Sequence, residues 1–144
     1  MKRKKMLFPL IKLGSGADVH FNLLAKEFAN KGYDIKFTFY PRIFIHFPFL
    51  LKFFRKKSDA DIINTTAELG LAFKEKNKKL IISVLHIPKK TEYFNPGFIK
   101  TLYYNYWIIP QMRRSIEIAD TVYVNSEYTK REVNKIARRK VIPR

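Results

Sequence analysis

The chain has 144 residues, no cysteine and three histidines, with 29 Lys and Arg against 12 Asp and Glu, a formal net charge of +17. The lack of cysteine excludes disulfides and thiolate metal ligation, and His20, His46 and His86 have no metal-ligand spacing, so no metal site is expected. The 47% of hydrophobic residues can build the core of one domain, and the positive excess calls for an anionic counterpart: an acidic membrane surface, a phosphorylated ligand or nucleic acid.

No stretch reaches the roughly 20 apolar residues that span a bilayer. The apolar run at 6–11 is short, meets Lys12 and is followed by no cleavage site, which argues against a secretory signal. The expectation is a cytoplasmic protein, soluble or peripheral on the inner face of the cell membrane.

Residues 6–11 (MLFPLI) predict a buried strand, weakened by Pro9, which has no N–H for a ladder. The loop KLGSG follows. Phe21, Leu24, Ala25 and Phe28 then recur at i, i+3, i+4 and i+7, the core stripe of an amphipathic helix, and Gly32 stands where a C-terminal cap belongs. Residues 34–40 alternate Ile35, Phe37 and Phe39 with polar neighbours and predict a second strand. Strand, loop, helix and strand make a βαβ unit.

Residues 41–57 (PRIFIHFPFLLKFFRKK) are aromatic and basic and contain no acid. One reading is an interfacial segment, with Phe44, Phe47, Phe49, Phe53 and Phe54 in the headgroup boundary and Lys52, Arg55, Lys56 and Lys57 on anionic lipid. The other is a hydrophobic connection packed on the domain with a solvated basic end. The continuity of the aromatics favours the first.

Residues 61–65 (DIINT) predict a third strand and 67–76 a helix. Residues 80–85 (LIISVL) form the continuous apolar run of a central parallel strand, ending at His86. A loop at 89–96 leads to a mostly helical 97–118, with Leu102, Tyr106 and Ile109 on one stripe and Pro110 kinking or splitting it. Tyr103, Tyr104, Tyr106 and Trp107 extend the aromatic surface. Residues 121–124 predict a last strand, and Asn125 and Ser126 an N-cap for a helix through about 138.

The alternation predicts an α/β fold: a Rossmann-like parallel sheet of about five strands with helices on both faces. Ligands of such sheets sit beyond the carboxyl ends of the strands, which selects Gly14, Ser15, Gly16, Asn64, Thr65, His86, Asn125 and Ser126. Gly14-Ser15-Gly16 reads as amides facing an anion or sugar, or as a tight turn needing positive φ; it lacks the third glycine of a dinucleotide fingerprint and a P-loop lysine. His86 reads as a hydrogen-bonding group for a sugar hydroxyl or developing charge, or as a satisfied histidine near the core. His20 reads as structural or solvent-facing. There is no nucleophile elbow, and no nucleic-acid module accompanies the basic charge.

Four segments in order, GSGADVHFNLLAKEFANKGYDI, ADIINT, KLIISVLHIP and ADTVYVNSEYTKREV, closed by VIP, resemble the N-terminal domain of family 4 glycosyltransferases, a large group with the GT-B fold. The resemblance covers nearly the whole chain. It implies the acceptor-binding half of a retaining transferase that moves a hexose from a nucleotide sugar, with no cofactor or metal, to a sugar or lipid-linked acceptor at a membrane. His86 would contact the transferred sugar or the acceptor, the Gly-rich loop would approach the ligand through its backbone, and Asn125 and Ser126 would line the cleft. The donor-binding C-terminal domain, with its two glutamates eight positions apart, is not in this sequence, so the resemblance implies inactivity alone. Two alternatives are a non-catalytic half that pairs with a separate donor-binding subunit, and a basic nucleic-acid-binding domain.

Overall fold

The computed structural model describes residues 3–12, 14, 16–88 and 97–137. It is an α/β protein with one five-stranded, all-parallel sheet of order β2-β1-β3-β4-β5. The strands are β1 (Lys5–Ile11), β2 (Asp34–Tyr40), β3 (Ile62–Thr66), β4 (Lys79–Val84) and β5 (Thr121–Val124). The helices are α1 (Gly16–Asn30), α2 (Ile43–His46), α3 (Leu51–Phe54), α4 (Gly70–Phe73), α5 (Phe98–Tyr103), α6 (Ile109–Ile118) and α7 (Glu127–Ile136).

Strand alternation divides the core between the two sheet faces. Met6, Phe8, Leu10, Ile62 and Ile81 meet Phe21, Leu24 and Ala25 of α1 on one face. Ile63, Ile82, Val84, Val122 and Val124 meet Leu51, Phe73, Met112, Ile116 and Val133 on the other. The stripe expected for α1 is thus buried, with Phe28 half-buried at its end. Gly32 closes that helix at φ +87, a conformation a Cβ would strain.

Pro9 lies inside the sheet, flanked on both sides, and the sequence tolerates it for a specific reason. The ladder between β1 and β3 is registered only at Met6↔Ile62 and Leu7↔Ile63, before Pro9 is reached. The Pro9 carbonyl then accepts the Thr65 hydroxyl at 2.6 Å, so a side chain replaces a backbone partner. Beyond that point the carboxyl ends of β1 and β3 are no longer laddered, and this is where the strand order reverses direction from β1.

The two Ala-Asp pairs have one structural job. Ala60 and Ala119 are buried. Asp61 Oδ2 accepts the backbone N–H of Lys5 at 2.9 Å, and Asp120 Oδ2 accepts that of Leu80 at 2.7 Å. Each carboxylate therefore satisfies the N–H at the start of the neighbouring strand.

Two expectations are corrected. The helix expected over 67–76 is only α4, a single turn. It must be short and close to the sheet: a Cβ on Gly70 would lie 2.5 Å from Ile82 Cδ1 and 2.8 Å from Ser115 Cβ. Residues 97–118 divide at the proline as expected: α5 passes into a π-turn over Tyr104–Ile108, and Pro110 stands in the first turn of α6; the stripe is what differs. The π-turn also shifts the helical phase. Ile108, Met112 and Ile116 face the core, while Tyr106, expected on an inward stripe with Leu102 and Ile109, is 77% exposed.

Candidate functional site

Two cavities open along the carboxyl edge of the sheet, sharing Val84 and Leu85 as a common wall. The first, about 400 Å³, sits where β1 and β3 part. Leu10, Ile11, Phe21, Ile45, Leu85 and Met112 give it an apolar wall. Its polar lining is Asp18, Thr66, Glu68, Ser83 and His86. The second, about 350 Å³, is lined by His20, Tyr123, Asn125, Ser126 and Glu127 among others.

His86, exposed just past β4, stands at the first cavity. Gly14 adopts φ +69, so the tight turn does require glycine. Its N–H does not face outward as a free donor: it gives its hydrogen to Asp18 Oδ2 at 2.6 Å. Asp18 lies in the first turn of α1, where a carboxylate is favoured by the helix dipole. The Gly14 amide is thus engaged by a carboxylate of α1. Gly16 is the exposed first residue of α1, and Ser15 lies outside the described residues.

Asn64 and Thr65 are not beyond a strand end. Both lie within β3 and are fully buried. Thr65 is spent on the Pro9 carbonyl. Asn64 Oδ1 accepts the Ser83 hydroxyl at 2.9 Å, and Asn64 Nδ2 is buried with no hydrogen-bond partner among the described residues. Both belong to the strand expected at 61–65, which runs one residue farther, to Thr66.

Asn125 and Ser126 come together as expected. Ser126 Oγ caps α7 by accepting the Thr129 N–H at 3.1 Å, and the Thr129 hydroxyl donates to Asn125 Oδ1 at 2.8 Å. His20 joins them in the second cavity. Its position one helical turn past the Gly-rich loop was the signal, since that turn must face the strand ends.

The aromatic segment splits in two directions. Phe44, expected on a membrane-facing side, is buried, with its ring 6.3 Å from Tyr40 and 5.9 Å from Phe54. Pro48 and Leu51 also face inward, because α2, a 3₁₀ turn and α3 fold back on the domain. Arg55 is half-buried in an ion pair with Glu75 at 3.0 Å. The remaining expected residues, Phe47, Phe49, Lys52, Phe53, Phe54, Lys56 and Lys57, are exposed, Phe53 by 81%.

This outer aromatic surface continues onto α5 and the π-turn. The Phe49 and Trp107 ring centroids are 5.8 Å apart, and His46 Nδ1 and the Tyr103 hydroxyl are 3.2 Å apart. Burial pushes the Tyr103 phenol above its ordinary pKa. Phe98, Ile99 and Tyr106 of this second segment are exposed as well. Exposed apolar side chains thus lie on two segments joined by ring contacts and a hydrogen bond. No described helix is long and apolar enough to cross a membrane.

The fold and the site at the strand ends define a Rossmann-like α/β protein. No protein-family model matches the chain, and no curated protein sequence matches it.

Proposed function

We propose that this chain is the acceptor-binding half of a glycosyltransferase of the GT-B type, working on a membrane-associated acceptor with the nucleotide-sugar donor held outside this chain. The observation that carries the reading is the cavity at the β1/β3 opening, which has a histidine at the end of β4 and lies beside an exposed aromatic surface. In parallel α/β sheets this edge is where ligands bind. His86 would hydrogen-bond the reacting hydroxyl or the transferred sugar, and Asn125 and Ser126 would line the neighbouring cavity.

The membrane half of the proposal is supported by Phe47, Phe49, Phe53 and Phe54, exposed next to Lys52, Lys56 and Lys57. Aromatic bodies in the headgroup boundary and cations on anionic lipid reinforce each other. Docking at the inner face of a membrane would bring the cavity to a lipid-linked acceptor.

The test uses a host lysate, which can supply a donor-binding partner. Wild-type chain and the His86→Ala variant are expressed at equal levels, and label from nucleotide hexoses is followed into extractable lipid. Raised incorporation with wild type only is expected. Equal incorporation by both would remove His86 from the chemistry. Sugar transfer by the purified chain alone would contradict the two-part site.

A further inference from the structure

The first cavity is graded in polarity along its depth. Leu10, Phe21, Leu69, Val84 and Met112 line it and are buried. Ser83, a polar residue buried among them, has its hydroxyl bonded to Asn64 Oδ1 at 2.9 Å. Asp18, Thr66 and Glu68 are only half-buried, and His86 is exposed. Residues that water reaches least stand deepest. The floor of the chamber is therefore mostly carbon, and its polar side chains lie toward the mouth, with His86 outermost.

This floor is where the two cores meet. Leu10 and Phe21 belong to the core on the α1 face, and Leu69, Val84 and Met112 to the core on the other. Carbon surface of this kind favours a hydrocarbon, each methylene taken out of water strengthening binding by roughly fourfold. The chamber also lies close to the aromatic face. Ile45 lines it, Phe44 is in the core, and Ile43 and Phe47 are exposed on the outer surface. The single turn of α2 thus touches the chamber, the core and the outside, so the partition between chamber and outer surface is about one helix thick, roughly 10 Å.

We infer that the chamber takes up the hydrocarbon chain of a lipid acceptor, inserted tail first, with the lipid's polar head at the mouth beside His86. The inference rests on the acceptor reading for its biological meaning. It narrows the acceptor to a lipid whose chain leaves the bilayer on binding, while the aromatic and basic outer surface holds the bilayer itself. The orientation keeps the head's hydroxyls in reach of the histidine and puts the chain against the carbon floor.

The experiment titrates the full chain with butyl, hexyl and octyl glucoside, each kept below its micelle concentration. Affinity should rise with every methylene, by at least about tenfold from hexyl to octyl. Ala17→Phe, which fills the chamber from the half-buried wall of α1, should flatten this dependence on chain length. A Phe49→Ser, Phe53→Ser double variant, altered at exposed positions outside the chamber, should keep it. The double variant separates the chamber from the outer surface even if Ala17→Phe fails to fold. No binding, a series flat in chain length, a folded Ala17→Phe that keeps the dependence, or its loss in the double variant would overturn the inference. No nucleotide sugar is present, so failure here leaves the sugar-transfer reading to its own assay, and failure of transfer in the lysate leaves this result standing.

Discussion

The indole Nε1–H of Trp107 donates to the carbonyl oxygen of His46 across 3.2 Å. This bond ties the π-turn to the end of α2, so two segments 61 positions apart share one aromatic surface. Trp107 is the only tryptophan in the chain and is part of that surface. Its fluorescence therefore reports directly on what the surface touches.

Anionic vesicles should shift Trp107 emission to the blue, and brominated acyl chains should quench it. A Phe49→Ser, Phe53→Ser double variant should lower vesicle partitioning at least about tenfold, since each buried Phe is worth roughly 1.5–3 kcal/mol. Raising salt should weaken binding further by screening Lys52, Lys56 and Lys57. Unaltered partitioning of the double variant would show that the bilayer contacts some other face.

Phe44 and Phe53 are near neighbours in sequence with opposite fates. Phe44→Ser should cost about 3 kcal/mol or more in denaturant unfolding, because it empties part of the core and buries a hydroxyl. Phe53→Ser should leave the midpoint almost unchanged and affect vesicle binding alone. Similar midpoints for the two variants would contradict the inward position of Phe44.

Asp120 shows how a motif residue can be structural. Its carboxylate accepts the Leu80 N–H and pairs with Lys74 at 2.8 Å. Asp120→Ala leaves a half-buried strand N–H without its charged acceptor, and stability should fall by roughly 1–3 kcal/mol. The partly exposed ion pair contributes little of this. Asp120→Asn, which keeps an acceptor oxygen, should recover part of the loss. A variant as stable as wild type would mean that water replaces the carboxylate.

The fold was legible in the sequence because periodicity tracks burial directly. The alternation of β2, the stripe of α1 and the apolar run of β4 each follow from which side chains must leave water. Pro9 is a weakness by sequence alone, since nothing local announces that Thr65 will satisfy its carbonyl from another strand. The phase of the helical stretch 98–118 is not legible in the sequence, because a π-turn inserts its extra residue without any change in composition. The site was legible only at strand ends. Asn64 and Thr65 stand in the expected third strand, but nothing in the sequence tells that their side chains are buried and hydrogen-bonded inside the sheet and not open at its end. The part Asp18 plays is not legible either, because its bond to the Gly14 N–H depends on a three-dimensional turn.

The chain has three histidines, so its histidine ring NMR spectrum is simple enough to assign by substitution. The most direct test of the acceptor-side account follows the His86 ring while the chain is titrated, in separate samples, with octyl glucoside and with nucleotide hexoses. The account predicts saturable shifts of His86 with the glycolipid analogue and only weak effects from the nucleotide sugars. A His86 ring that ignores the glucoside and responds to nucleotide sugars would contradict it.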